Sequence, residues 1–221
     1  MSGSLVSPEL RTRIRAMAEP IGRGMARVGL TPNALTLIGF GIACLAAVAA
    51  GAQAWLVAGL LTIFGGIFDM FDGMVARATG KVSKAGAFMD STFDRWGEAV
   101  VYVGIVWGAV ALGSDRTAVL AAAAMASAFM VSYTRARAES LGFAPGKGMA
   151  NVGFAPREVR LVLLTAGLVI AGLVGAGTDP ANPTNALVLD ITLGLLAILA
   201  TITTIQRVVV TLNQARTPDQ G

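Results

Sequence analysis

The 221-residue chain has no histidine, a single cysteine (Cys44) and few charges, with only 14% of its residues Asp, Glu, Lys or Arg. Each shortage excludes something. Without histidine there is no imidazole base, no catalytic triad built on one and no His-ligated zinc or haem. A lone cysteine supports neither a disulfide framework nor a cysteine-cluster metal site. Any metal must then be held by oxygen, which points to magnesium, calcium or manganese. A soluble domain is about 25% charged, so this chain is too poor in charge to be one. With 55% hydrophobic residues and a mean hydropathy of +0.69, it is also far from disordered.

What the sequence does have is a series of long apolar runs. They predict membrane-spanning helices over about 33–51, 54–77, 83–112, 116–141, 157–177 and 185–212. Gly51, Gly113-Ser114, Pro145-Gly146 and the Pro180/Pro183 stretch mark the breaks. Ahead of them, over 7–28, Leu10, Ile14, Met17, Ile21 and Met25 recur at three- and four-residue steps among arginines, as on an amphipathic helix lying in a membrane interface. The expected fold is therefore an all-α integral membrane protein, six transmembrane helices over 33–212 behind an N-terminal amphipathic helix. Residues 1–221 form one membrane domain, with no room for a soluble second one.

Basic residues orient it. Arg11, Arg13, Arg15, Arg23 and Arg27 precede the first span, and Arg77, Lys81 and Lys84 follow the second. Arg135, Arg137, Lys147, Arg157 and Arg160 surround the loop after the fourth, and Arg207 and Arg216 lie near the end. The alternate loops hold only Arg116. The positive-inside rule then places both termini on the cytoplasmic side of the cell membrane. It also accounts for the formal charge of +4 and the pI near 9.8 without a nucleic-acid partner.

Four aspartates carry the chemistry: Asp69, Asp72, Asp90 and Asp94. An acid at mid-bilayer costs about 2.5–3.5 kcal/mol on the insertion scale, so four need a polar cavity and cations. On a helix, Asp69 and Asp72 are about 60° apart and Asp90 and Asp94 about 40° apart, so each pair shares a face. If the short loop over 78–82 folds the two helices antiparallel, those faces can meet around oxygen-ligated metal, enough for two divalent ions. Gly73, Ala76 and Gly86 keep the same side open, and Arg77 offers a bidentate fork for phosphate. With no histidine, a carboxylate is the natural base for activating a hydroxyl.

The run Asp69-Met-Phe-Asp72-Gly73-Met-Val-Ala76-Arg77, then eight residues to Gly86, three to Asp90 and three to Asp94, resembles the full signature of the CDP-alcohol phosphotransferases. The resemblance extends to chain length, six spans and the preceding amphipathic helix. It implies transfer of a substituted phosphate from a CDP-linked alcohol to an acceptor hydroxyl, with release of CMP. By the same similarity Asp69, Asp72, Asp90 and Asp94 are ligands of two magnesium ions (manganese being the other option), Asp90 bridges them, and Asp94 is also the base. Gly73, Arg77 and Ser83 are implied to contact the CDP-lipid, as are Pro32 and Asn33 of the Thr31-Pro32-Asn33 helix start. The family often forms homodimers.

The signature sets the reaction but not the alcohol. Ser132-Tyr-Thr-Arg135-Ala-Arg137-Ala-Glu139, Arg157-Glu-Val-Arg160-Leu and Gln206-Arg207 resemble segments of bacterial phosphatidylinositol phosphate synthases. That implies CDP-diacylglycerol as donor and inositol phosphate as acceptor, its phosphate received by Arg135, Arg137, Arg157, Arg160 and Arg207. The segment before Arg157 departs from the pattern: it lacks the usual glutamate, and Ala155-Pro156 precedes the arginine. Phosphatidylglycerophosphate synthesis, with another anionic acceptor, is the alternative within the fold. A cation transporter with an acidic midplane site is the alternative from another class, although inverted repeats are not evident.

Overall fold

The structure, a computed structural model, describes residues 20, 22–143, 152–175 and 182–216. Most of the expected amphipathic helix and the link over 144–151 lie outside the described residues; of the former, 22–27 is helical. Six long helices follow: α1 (Pro32–Gly51), α2 (Trp55–Ala78), α3 (Lys84–Ala111), α4 (Asp115–Ser140), α5 (Arg157–Val174) and α6 (Pro183–Arg216). No strand occurs among the described residues. The limits fall within a few residues of those read from the sequence.

Local chemistry sets these limits. Thr31 Oγ1 accepts the Ala34 amide at 3.2 Å and Pro32 occupies the first helical position, so α1 starts on a side-chain cap and a pre-set φ. Ser83 Oγ does the same for α3, accepting the Gly86 amide at 3.0 Å. At the other end of the α2–α3 loop, Gly80 takes φ +65°. The Gly80 and Lys81 amides return to the carbonyls of Arg77 and Ala76, a Schellman closure that reverses the chain in a few residues.

Four helices, α1, α2, α4 and α6, are long and apolar enough to cross a membrane. Two fall short for a physical reason. In α3, Lys84, Asp90, Asp94, Arg95 and Glu98 crowd the first half, and α5 opens on Arg157, Glu158 and Arg160. The apolar side chains left outside, among them Leu45, Val57, Val103, Trp107, Val119, Ile191 and Ile198, would be costly in water and suit lipid. The chain is an integral membrane protein.

Its helices divide between two compact units, one made of residues up to Ile42 and Ile63–Gly97, the other of Ala43–Thr62 and Glu98–Gly221. The second has a core of small residues, Ala46, Ala50, Ala58, Ala121, Ala124, Ala128 and Ala171, interleaved with Leu164, Leu168, Leu193, Ile105 and Tyr102. Here α3 presses directly on α1: a Cβ added at Gly104 or Gly108 would overlap the carbonyl oxygens of Ala47 and Ala50. Glycines four apart let membrane helices approach in this way, through dispersion rather than water exclusion. In the same unit Thr117 donates to Asp190 at 2.6 Å, with Arg116 3.2 Å from the other carboxylate oxygen, tying α4 to α6. The first unit, which holds the acids of the signature, is joined differently. Phe40 of α1 stacks against Phe93 and Trp96 of α3, with centroids 5.1 and 5.0 Å apart.

Candidate active site

Three of the four signature aspartates converge. Asp69 and Asp72 project from one face of α2, the Gly80 turn reverses the chain, and Asp90 arrives from α3. Carboxylate oxygens of the three lie within 4.8 Å of one another. Asp72 is buried and the other two are half-buried. Like charges gathered this closely in a poorly polar setting call for a compensating cation. An all-oxygen donor set fits a hard divalent ion such as magnesium or manganese.

Asp94 does not join this group. It follows Asp90 by one helical turn, its side chain is 11% exposed, and its Oδ2 lies 3.8 Å from Arg95 Nη1. Three of the four expected ligands thus form the close group, and the fourth carboxylate lies further along the same helix. The reason is axial: four residues are close in angle but about 6 Å apart in rise.

Beside the acids is a cavity of about 280 Å³ whose walls include Asp72 and Asp90. Pro32, Asn33, Gly73, Arg77 and Ser83, the five residues expected at the CDP-lipid, all line it. The Arg77 guanidinium folds back over Gly73, so that a Cβ there would sit 3.0 Å from Nη1. Gly86 faces Ser83 Oγ and Asn33 Oδ1 in the same way. Both glycines keep backbone accessible where a side chain would take up the space. Four lining residues were not singled out as site residues from the sequence, Thr36, Lys81, Val82 and Ala87. Thr36 follows Pro32 by four residues and therefore shares its face, a signal that was available. Lys81 owes its place to the Schellman turn.

The five arginines expected at the acceptor phosphate belong to the second unit and differ sharply. Arg137 is exposed and Arg157 half-buried. Arg135 pairs with Glu139 at 3.0 Å on the surface of α4. Arg207 is 3% exposed and donates to the carbonyls of Val131 and Val152. Its charged neighbours are Arg135, Arg160, Glu139 and Glu158. Thr203, one turn earlier, accepts the amides of Phe154 and Ala155, so α6 stitches down the stretch before α5.

Arg160 has partners of its own within the protein. It is 1% exposed and grips Glu98 with two bonds of 2.9 and 2.8 Å, while its third donor reaches the Ala155 carbonyl at 3.1 Å. With all three of its nitrogens bonded inside the protein and almost no exposed surface, the guanidinium joins α3 to α5.

A match to a family profile decides the class. Residues 29–213 fit the CDP-alcohol phosphatidyltransferase domain. The chain belongs to this family. Similar proteins include the archaetidylinositol phosphate synthase of Pyrococcus horikoshii, 38% identical over 200 residues, covering 90% of this chain and 93% of that one. The phosphatidylinositol phosphate synthase of Mycobacterium tuberculosis is 32% identical over 199 residues, covering 89% of this chain and 86% of its own. A crystal structure of the M. tuberculosis enzyme with CDP-DAG bound superposes with a TM-score of 0.76 at 28% identity, over 89% of this chain and 94% of that one. Another, in complex with manganese and citrate, gives 0.76 at 27%, over 88% of each. As a member of this family the chain is a CDP-alcohol phosphotransferase.

Proposed function

We propose that the protein transfers the phosphatidyl group of CDP-diacylglycerol to inositol phosphate, giving phosphatidylinositol phosphate and CMP. The observation that carries this is the meeting of Asp69, Asp72 and Asp90 beside a cavity lined by Gly73 and Arg77, in a chain of this family. The acceptor follows from the relatives. The archaeal and mycobacterial enzymes differ in the lipid half of their names and share the inositol phosphate half. The mycobacterial structure with CDP-DAG supports the diacylglycerol donor.

In this scheme Asp69, Asp72 and Asp90 would hold two magnesium ions, with manganese able to substitute. Bound there, the ions supply Lewis-acid stabilisation of the charge that develops on the departing phosphate. Gly73 leaves room for the diphosphate, and Arg77 and Ser83 contact it, while Pro32 and Asn33 edge the nucleotide. The acceptor hydroxyl oxygen forms a bond to the β-phosphorus as the bond from that phosphorus to the bridging oxygen breaks. CMP leaves with the bridging oxygen, and the hydroxyl proton passes to Asp94. Arg135, Arg137, Arg157 and Arg207 are assigned to the acceptor's phosphate. In the membrane, 1–221 forms one domain of six spans behind an interfacial helix over 7–28. Both termini and the site face the cytoplasm of the cell membrane, and the functional unit is a homodimer.

An acceptor panel tests the assignment. Purified protein in nanodiscs, with magnesium and CDP-diacylglycerol, is expected to release CMP with inositol phosphate and much more slowly with glycerol 3-phosphate, serine or free inositol. Preference for glycerol 3-phosphate would move the assignment to phosphatidylglycerophosphate synthesis. Silence with every alcohol would refute the transferase.

The arginine assignment has its own signature. Arg157→Ala is expected to raise the KM for inositol phosphate by about tenfold to a hundredfold, the loss of one charge-assisted contact of roughly 1.5–3 kcal/mol. The KM for the lipid should change little. Equal effects on both substrates would count against a phosphate pocket.

A further inference from the structure

Thr36 lies on α1, a helix that contributes none of the clustered acids, and is 6% exposed. Its hydroxyl donates to Asp72 Oδ2 at 2.7 Å, and the Pro32 carbonyl is the other acceptor within reach at 3.2 Å. A hydroxyl has one proton to give. The shorter, charge-assisted bond to the carboxylate is the stronger of the two. Asp72 is itself only 5% exposed, so water is largely excluded from the oxygen that Thr36 holds.

Without such a bond the Asp72 carboxylate could swing about its last torsion, driven away from Asp69 and Asp90 by their charge. A branched side chain with a stiff first torsion is well suited to prevent this. We infer that Thr36 is a positioning residue of the metal cluster: its hydroxyl fixes the carboxylate plane of Asp72 so that the group is ready to ligate a divalent cation. This rests on the cluster being a cation site. It links α1 to the metal cluster and gives Thr36 a task beyond lining the cavity. The rival account is that the same bond only fastens α1 to α2.

Manganese binding separates the possibilities. Free Mn²⁺ is measured by electron paramagnetic resonance while the full chain in detergent is titrated without nucleotide or acceptor, using wild type, Asp72→Asn, Thr36→Val and Thr36→Ser. Melting temperatures are recorded without metal. Loss of an outer partner of a ligand typically weakens affinity about 10- to 100-fold, and this is expected for Thr36→Val. Thr36→Ser, which keeps the hydroxyl, is expected to stay within about threefold of wild type on the same scale. Wild-type affinity in Thr36→Val, with a lowered melting temperature, would overturn the proposal in favour of simple fastening. Equal weakening in the valine and serine variants would also overturn it, because the hydroxyl would not be the cause. If wild type binds no better than Asp72→Asn, the cation site itself fails. Should the valine variant not fold, Thr36→Ala takes its place with the same expectations.

Discussion

Asp94→Asn is expected to cut CMP release by about two to four orders of magnitude, the usual worth of a positioned general base. Manganese and CDP-lipid binding should remain within a few-fold of wild type. The substitution is isosteric, so it removes the proton acceptor with almost no change of shape. The geometry makes the split outcome a sharp test, because Asp94 stands outside the close group of three carboxylates. Asp90→Asn should behave differently and lose turnover and manganese binding together, since Asp90 is one of that group and also lines the cavity. Single-turnover CMP release and equilibrium Mn²⁺ titration on both variants check the pair of expectations. An Asp94→Asn protein with wild-type turnover would remove the base assignment. One that loses its manganese would move Asp94 back among the ligands.

The contrast between these two acids also shows how far local sequence reaches. Angular position around a helix can be read from spacing, and it groups Asp69 with Asp72 and Asp90 with Asp94. Axial position within a pair of packed helices depends on where the loop turns, which here is set by the Ser83 cap and the Gly80 closure. Helix limits were legible where their signals are local, as at Thr31-Pro32 before α1, Gly51 at its end and Gly113-Ser114 between α3 and α4. Gly73 and Arg77 were legible from their place beside the aspartates, and Pro32, Asn33 and Ser83 through the family resemblance; all five line the cavity.

What was not legible is long-range pairing. Glu98 and Asp190 are acids inside apolar helices, as the signature aspartates are, and nothing in their neighbourhood announces a different role. Their partners settle it: Asp190 closes on Thr117 and Arg116, and Glu98 on Arg160, 62 residues away. An arginine read alone looks like a topology marker or a phosphate ligand. With its carboxylate in view, Arg160 is half of a helix-to-helix clamp. Arg207 shows the same limit, because its backbone acceptors Val131 and Val152 lie on segments remote in sequence.

Breaking the clamp from one side is expected to be the most destabilising single change in the protein. Glu98→Ala leaves the Arg160 guanidinium buried without its counter-charge, and such losses cost about 3–5 kcal/mol. Both partners are shielded from solvent, with side chains 1% and 5% exposed, so little of this is screened away. Tyr102, one turn beyond Glu98 and wholly buried, gives no opening through which water could compensate. Replacing both partners, Glu98→Leu with Arg160→Met, should recover most of the loss, because an apolar pair of similar volume avoids the desolvation that the ion pair must overcome. Unfolding in detergent, followed by tryptophan fluorescence on wild type, each single variant and the double variant, gives the coupling energy directly. If Arg160 instead served the acceptor phosphate, Glu98→Ala would fold like wild type and the double variant would lose affinity for inositol phosphate. The clamp requires the reverse: an unstable single variant, a restored double variant, and an acceptor KM close to that of the unaltered protein.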